Sequence, residues 1–482
     1  MLFNSIDFAI FLPIVFILYW FVANENLKLQ NFLIVIVSYI FYAWWDWRFL
    51  SLILFSTLVD YTIGIGFLKQ KKTMGRKVLL WISILTNLSF LGFFKYYNFF
   101  LYNFVTAFSF LGIKITSDSL NIILPVGISF YTFQTMSYTI DVYKRKLEPT
   151  KNIIAFMAFV SFFPQLVAGP IERAKNLLPQ FYEKRIFNYD KAVDGMRQIL
   201  WGLFKKIVIA DNLARIVNRI FSNSENCSGS TLVLGAIFFT FQIYGDFSGY
   251  SDIAIGVSRL FGFELKQNFA FPYFSRDIAE FWRRWHISLS TWFRDYLYIP
   301  LGGSHANTFI KIRNIFIIFI VSGFWHGANW TFIVWGVLNA LYFIPLLLFN
   351  RNRININTVA DGRIFPTLKE FFQILITFIL TVFAFIFFRS DSMGQAFQIF
   401  RSIFSHTLLL KPEILNPFDL LIITCLLLYF ILQEWVGRNG KYALETIGNS
   451  WPIILRWGMY ISIVCIILLL GGYKHDFIYF QF

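Results

Sequence analysis

The sequence predicts an all-α membrane protein that crosses the bilayer many times. Hydrophobic residues make up 57% of its 482 residues and charged residues only 14%, whereas soluble domains carry roughly 25% charged residues. The apolar residues are gathered into stretches of about 17 to 25 residues, which is the length that a helix needs to span a bilayer. These stretches are too numerous for a soluble protein with a single membrane anchor.

The candidate spans follow one another along the whole chain, and we expect about ten to twelve of them to cross the bilayer. The first has no basic segment before it and no small-residue cleavage site after it, so we expect it to be retained. No internal repeat or separate soluble domain interrupts the series, and residues 1–482 are therefore expected to form a single membrane domain. The spans lie at about residues 7–23, 28–45, 49–68, 78–94, 96–111, 153–170, 231–257, 310–325, 330–349, 371–388, 418–434 and 453–471.

Two further segments are predicted to be helical without being simple spans. Residues 120–142 contain Pro125, Gly127 and Gln134, which indicates a broken or re-entrant helix that the protein covers. The segment from Asp194 to Phe221 has the pattern of an amphipathic basic helix, and we expect it to lie at the cytoplasmic interface.

The net charge of +15 favours contact with membrane lipid over contact with nucleic acid, because lysines and arginines fall between the apolar spans. The loop 69–77 carries five positive charges and no negative one. This loop is predicted to be cytoplasmic, and the three spans before it then place the N-terminus outside. Cys227, Cys425 and Cys465 lie far apart and form no CxxC pair, so neither a disulfide framework nor a metal site is predicted.

Two carboxylates stand in an apolar region between Gln242 and Asp252, accompanied by glycines and hydroxyl groups. Charged groups at membrane depth cost roughly 2.5 to 3.5 kcal/mol each, so they mark a polar interior. One interpretation is a packing seam in which glycines allow helices to approach closely. The other is a helix kink beside a substrate tunnel.

The first histidine of interest is His286, which follows two tryptophans. Trp282, His286, Leu289 and Phe293 share one face of a predicted helix, so His286 is assigned to an aromatic face.

Arg283, Arg284 and Trp285 come directly before His286. They form either an interfacial belt or a surface for a phosphorylated donor, such as the nucleotide end of coenzyme A, since guanidinium groups bind phosphate in a fork geometry.

The second histidine, His326, stands between Trp325 and Gly327 at apparent membrane depth. It is either a structural histidine between helices or a general base, because burial keeps an imidazole neutral at pH 7. Gly327 would leave space beside the ring, and Asn329 or Ser322 would orient it or donate to an oxyanion. No nucleophile elbow, phosphate-binding loop or metalloprotease helix accompanies it, so base-assisted transfer to a bound hydroxyl is the chemistry left.

Five stretches together resemble the membrane-bound O-acyltransferase (MBOAT) family, in the branch of bacterial alginate, peptidoglycan and exopolysaccharide O-acetyltransferases. The resemblance runs from the first span to the last residue, and both histidine positions match. The stretches are Phe281–Gly303, Phe324–Gly327, Pro125–Gln134, Phe163–Ile171 and Phe477–Phe482.

The resemblance implies a ring of about ten to twelve transmembrane helices around a central tunnel, with His326 as the reactive histidine and His286 as the second family histidine. It implies an enzyme of the bacterial inner membrane without a tightly bound cofactor. An acyl group, most commonly acetyl, would pass from a cytoplasmic thioester such as acetyl-CoA to a periplasmic partner of the SGNH-hydrolase type. That partner would esterify a cell-surface polysaccharide such as alginate.

Two alternatives to this function remain open at the level of the sequence. A transporter or flippase would also use broken helices and buried polar residues, but would more often show an internal repeat with paired interrupted helices. An O-acyltransferase that acts on lipid, protein or peptidoglycan would share the same chemistry.

The ending Phe477–Phe482 also allows two interpretations. It is an aromatic anchor at the membrane surface, or its tip enters a pocket. The resemblance implies that Tyr479 receives the acyl group, and a phenol with a pKa of about 10 is easier to deprotonate than an aliphatic alcohol. Tyr479 is therefore a candidate covalent relay.

Overall fold

The computed structural model describes residues 1–24, 26–112, 119–167, 169–305, 307–412, 416–471, 475, 477 and 478. Within these residues the regular elements are helices, and no strand is present. They group into two compact units, Met1–Gly195 with Ala254–Lys266, and Met196–Ile253 with Gln267–Phe482. The single membrane domain expected from the sequence stays a prediction.

The first unit holds the amino-terminal helices. They are α1 Ile6–Ile17, α2 Leu27–Asp46, α3 Leu50–Lys69, α4 Thr73–Leu91, α5 Tyr97–Phe110, α6 Ile128–Tyr143, α7 Ile153–Ser161, α8 Phe163–Leu166 and α9 Ala174–Leu177. The division between the units falls within α10 (Tyr189–Leu203) and α12 (Gly229–Leu260). The second unit contains α11 Asp211–Ser222, α13 Ile278–Arg284, α14 Ile287–Phe293, α15 Thr308–His326, α16 Trp330–Leu348, α17 Leu368–Arg389, α18 Met393–Ile403, α19 Pro417–Val436 and α20 Ile453–Leu470.

Eight helical stretches in the described residues are long and apolar enough to cross a membrane. Two of them are about twice as long as a single span requires. Leu27–Lys69 has 43 residues and would extend about 65 Å if straight, roughly twice the hydrocarbon thickness. It bends at Asp46, where α2 ends, and Thr73–Phe110 likewise contains α4 and α5 joined by a π-helical turn. Counted as helix pairs, these stretches provide ten candidate crossings, which is the lower end of the expected range.

Two predicted segments differ from a simple span. Residues 153–170 form the short helices α7 and α8 instead of one spanning helix. Helix α6 begins at Ile128, directly after Gly127, whose φ is +75°. Each residue of α6 from Ile128 to Thr139 is buried. The expected interruption lies before α6, and protein covers the helical part, whereas Leu120 and Ile123 are exposed.

The polar region of α12 is a packing seam. The helix runs unbroken through residues 242–252, which favours the packing seam over the alternative of a kink beside a tunnel. A Cβ on Gly249 would lie 2.8 Å from the carbonyl oxygen of Gly202, and one on Gly202 would lie 2.6 Å from that of Gly249. The two glycines therefore allow α10 and α12 to approach closely.

The segment 194–221 is helical throughout, as predicted, but it is not α-helical throughout. It consists of the end of α10, a π-helical stretch Phe204–Ala210 and α11. Lys205 and Lys206 lie inside the protein, 3% and 1% exposed, because they form ion pairs with Asp252 (2.5 Å) and Asp246 (2.7 Å) of α12. These two basic residues therefore do not face the interface, since carboxylates from a distant part of the sequence neutralise them. The cytoplasmic interface as the location of the segment stays a prediction.

Candidate active site

His286 lies in a break between two short helices, and the prediction of one continuous helix through Trp282 and Phe293 is wrong. Helix α13 ends at Arg284 and α14 begins at Ile287. His286 adopts a left-handed backbone conformation with φ +43° and ψ +54°, which costs about 1–2 kcal/mol for a residue other than glycine. The surrounding structure must therefore hold this residue in place.

The backbone on both sides of the break is held by one extended segment. The N–H of Ala270 donates to the carbonyl of Arg284 (2.9 Å), and the N–H of Ile287 donates to the carbonyl of Asn268 (2.8 Å). These hydrogen bonds satisfy backbone groups that the interrupted helix leaves without intrahelical partners. Segment 268–270 thus stabilises the unusual position of His286.

The side chain of Asn268 determines which nitrogen of His286 carries the proton. Its Oδ1 lies 3.1 Å from His286 Nδ1, 3.3 Å from the backbone nitrogen of Ser288 and 2.8 Å from Ser288 Oγ. Because a backbone N–H can only donate, the atom that faces it is the amide oxygen. The same oxygen accepts from Nδ1–H, so in the neutral ring the lone pair is on Nε2.

Burial keeps this ring neutral and leaves an acceptor open. His286 is fully buried, and burial lowers its pKa to about 3, so the ring is uncharged at pH 7. Its Nε2 has no hydrogen-bond partner among the residues that the structure describes. A buried acceptor of this kind is a position for a substrate hydroxyl or thiol.

His326 lies beside His286, with 6.4 Å between the ring centroids. It is the last residue of α15 and is 2% exposed. Trp335 meets its ring edge-on at 5.2 Å and Phe388 at 5.3 Å. The structure thus brings the two predicted histidines together, and aromatic packing encloses His326.

The space beside Gly327 is already filled, so the expectation that this glycine leaves room next to His326 is wrong. A Cβ on Gly327 would lie 2.0 Å from the ring of Phe332, and one on Gly323 would lie 2.2 Å from the carbonyl oxygen of Phe332. The glycines instead permit close packing of α15 against α16.

Two residues predicted to contact the donor or the catalytic histidine have structural roles. Asn329 begins α16, where its Oδ1 accepts from the N–H of Thr331 (3.1 Å) and its Nδ2 donates to the carbonyl of Asp391 (2.9 Å). The structure therefore assigns Asn329 to helix capping. Trp285 is 2% exposed and stacks on Phe281 at 5.5 Å, so it belongs to the aromatic core, and donor binding by Trp285 stays a prediction.

Arg283 and Arg284 bind protein groups. Arg283 donates to the carbonyls of Asn352 and Asn355, at 2.7 Å each. Arg284 forms an ion pair with Glu280 (3.0 Å). The arginines thus secure the loop after α16, and donor binding by the pair stays a prediction.

A cavity of about 860 Å³ opens beside α14, α15 and the loop after α16. Its walls combine apolar side chains with the cations Arg294, Lys311 and Arg353. Ser322 also lines it, one helical turn before His326 on the same face of α15. The cavity therefore extends along the helix that carries His326.

Asn268 is a site residue that the sequence did not identify as a candidate. It lies 18 positions before His286 in an irregular segment, and no helical or strand period connects the two. The sequence has no signal that separates Asn268 from the adjacent amide of Gln267. The predicted relay residue Tyr479 lies outside the described residues.

Comparison with known proteins assigns the chain to a known family. A sequence model of the membrane-bound O-acyltransferase family matches residues 144–389. A protein of Pseudomonas putida named "Probable alginate O-acetylase AlgI" is 37% identical over the full length of both chains, and one of Pseudomonas aeruginosa with the same name is 41% identical over 84% of this chain and 75% of its own. A peptidoglycan O-acetyltransferase of Helicobacter pylori is 34% identical over 83% of this chain and 79% of its own. The chain is a multi-pass membrane O-acyltransferase and belongs to the membrane-bound O-acyltransferase family.

Proposed function

We propose that this enzyme transfers an acetyl group from a cytoplasmic thioester, with acetyl-CoA as donor, across the bacterial inner membrane to a periplasmic partner of the SGNH-hydrolase type. The partner then O-acetylates a cell-surface polysaccharide such as alginate. The observation that carries the proposal is the pair of buried histidines at 6.4 Å, one with an open acceptor at Nε2. The names of the relatives support a polysaccharide as the final acceptor.

The cavity beside α15 supports a thioester donor. Its cations Arg294, Lys311 and Arg353 suit the phosphates of a coenzyme A group, because charged side chains bind phosphate with strong hydrogen bonds. Its apolar wall suits the acyl arm. Ser322 at the wall connects this cavity to the face of α15 that bears His326.

The transfer proceeds in two steps. In the first, the phenol oxygen of Tyr479 attacks the thioester carbonyl carbon, a C–O bond forms and the C–S bond breaks. On binding, the phenolic O–H donates to the open Nε2 of His286, which orients it; as the C–O bond forms, that single proton passes to His326, which returns it to the departing thiolate. In the second, a serine hydroxyl of the partner attacks the aryl ester, and its proton passes to the phenolate, which regenerates Tyr479.

The test uses purified protein in lipid nanodiscs with acetyl-CoA labelled in the acetyl group. We expect label on the protein, located on Tyr479 by peptide mass spectrometry, when the partner is left out. Tyr479→Phe should abolish this label, and His326→Ala should prevent its formation. Label that persists in Tyr479→Phe would contradict the relay, and a protein that consumes no thioester yet moves polysaccharide would favour a transporter.

Peptidoglycan is a second candidate acceptor, because the Helicobacter pylori relative bears the name peptidoglycan O-acetyltransferase. The two acceptors are distinguished by base-labile acetate in cell fractions. Acetate lost from exopolysaccharide in a strain with His326→Ala supports the first acceptor, and acetate lost from peptidoglycan alone supports the second.

A further inference from the structure

The last described residues of the chain lie inside the second unit. Phe477 is 0% exposed and Ile478 is 2% exposed. The ring of Phe477 lies 4.6 Å from that of Tyr250 and 5.8 Å from that of Phe247, both on α12. Phe247 in turn meets the ring of His286 at 4.6 Å. One side chain thus separates Phe477 from the histidine pair; we call the described residues 475, 477 and 478 the tail.

Polar contacts hold the tail as well as apolar ones. The N–H of Ile478 donates to Asp246 Oδ2 at 2.7 Å, and Lys206 Nζ donates to the carbonyl of His475 at 3.0 Å. Lys206 also pairs with Asp246 (2.7 Å) and Asp211 (2.8 Å). We call Lys206, Asp211 and Asp246 the tail cluster. Its three side chains are at most 4% exposed.

Burial of two carboxylates with one ammonium group is expensive, and replacing such groups by apolar residues often stabilises a protein. A role in stability alone is therefore a weak reason for the tail cluster. The cluster carries a net charge of one negative unit when its ammonium group and two carboxylates are all ionised. The N–H of Ile478 supplies a further donor to the carboxylate of Asp246. The cluster is thus electrostatically suited to accept a backbone donor from the tail.

A neighbouring ion pair on the same two elements offers a comparison. Lys205 adjoins Lys206 in sequence and pairs with Asp252 of α12 at 2.5 Å. Asp252 also accepts from Gln198 of α10 at 2.8 Å. This pair receives its hydrogen bonds from α10 and the π-helical stretch, whereas Asp246 receives one from the tail.

We propose that the tail cluster is a binding site for the chain's own tail and that Asp246 and Lys206 are positioning residues for acyl transfer. The cluster and the aromatic face of α12 hold His475, Phe477 and Ile478 close to Phe247, which contacts His286. Tyr479 directly follows Ile478 in the sequence, so a bound tail delivers the proposed relay tyrosine to the histidine pair. This last step rests on the proposed function, whereas binding of the tail does not.

The first test compares Asp246→Asn with Asp252→Asn by hydrogen–deuterium exchange of the full-length protein in nanodiscs. Loss of the charged acceptor should accelerate exchange in the tail peptide by about 10- to 100-fold. Asp252→Asn should leave tail exchange within about twofold of the unchanged protein, since Asp252 bonds to other elements. Equal tail exchange in the two variants would overturn the binding site.

A second pair of variants tests the same hydrogen bond without the risk that Asp246→Asn misfolds. Ile478→Pro removes the N–H donor and leaves the tail cluster intact, and Ile478→Val retains the donor. We expect Ile478→Pro to lose protection of the tail and Ile478→Val to keep it. Protection that is unchanged in Ile478→Pro would show that the hydrogen bond to Asp246 does not hold the tail.

Acetyl transfer then separates tail binding from the relay. Asp246→Asn and Ile478→Pro should lower kcat for acetyl transfer to the partner by about tenfold or more, with little change in KM for acetyl-CoA. An unchanged kcat in variants that have lost protection of the tail would overturn the positioning role. If both variants release the tail but transfer proceeds unchanged in them and in Tyr479→Phe, the relay fails and the tail-binding site stands.

Discussion

His286 and His326 lie 6.4 Å apart, yet the protein holds the two rings by different means. His286 occupies a left-handed break between two short helices, and its Nδ1–H donates to Asn268 Oδ1. His326 ends a long helix, and the rings of Trp335 and Phe388 enclose it. The first ring is thus directed by a specific hydrogen bond and the second is positioned by aromatic packing.

Because the two rings are held by different means, we expect the two sites to respond differently to substitution. A hydrogen bond to one nitrogen specifies the tautomer and the direction of the lone pair, and its loss leaves a buried polar group unsatisfied. Packing contacts are numerous and individually weak, so the loss of one is partly compensated. We therefore expect the surroundings of His286 to tolerate substitution less well than those of His326, although His326 itself is the proposed general base.

The largest effect is expected for removal of the base. His326→Ala should lower kcat for acetyl transfer by about 10²- to 10⁴-fold, because general-base catalysis contributes that much. Acetyl transfer to the partner from labelled acetyl-CoA measures it, with membrane abundance as the check on folding. His406→Ala, which alters an exposed histidine, is the matched control and should retain full activity. Near-normal transfer in a well-folded His326→Ala protein would remove His326 from the mechanism.

The next largest effect is expected for Asn268→Leu. Leucine has a similar size but no oxygen, so His286 Nδ1, the N–H of Ser288 and the hydroxyl of Ser288 lose their shared acceptor. Unsatisfied buried groups cost about 1–3 kcal/mol, which predicts a loss of about 10- to 100-fold in kcat. KM for acetyl-CoA should change little, because the ring would lose direction without altering the donor cavity. A change confined to KM would contradict the tautomer assignment.

Asn268→Asp tests the same contact through pH. The carboxylate retains the acceptor but stabilises an imidazolium ring, so it should raise the pKa of His286 above its present value of about 3. Below that raised pKa the ring gains a proton on Nε2 and can no longer accept there. The variant should therefore lose kcat as pH falls from 8 to 5, more steeply than the unchanged protein does. Parallel pH profiles would show that Asn268 does not act through His286.

The smallest effect is expected for Phe388→Leu, which removes one of the rings around His326 and keeps an apolar side chain. Such a substitution usually costs less than about 1.5 kcal/mol when the site repacks, so kcat should fall by less than about tenfold. Thermal unfolding in nanodiscs shows whether the cost is one of stability. A loss as large as that of Asn268→Leu would break the contrast between the two histidines.

The sequence by itself determined the class of protein and the identity of its main candidates. Composition and apolar stretches of spanning length predicted an all-α membrane protein, and the stretches around His286 and His326 indicated the acyltransferase family, as the comparisons confirm. These properties depend on local composition and on residues close together in the chain. They are therefore visible without knowledge of the fold.

The tertiary structure alone decided how the candidates are held. Helical periodicity assigned His286 to a continuous helix, because it carries no information on the hydrogen bonds from segment 268–270 that stabilise a break. The buried pair of Lys206 and Asp246, and the bond from Ile478 to Asp246, join residues 40 and 232 positions apart. Partners at such separations meet only after the helices pack, so local sequence patterns do not specify them.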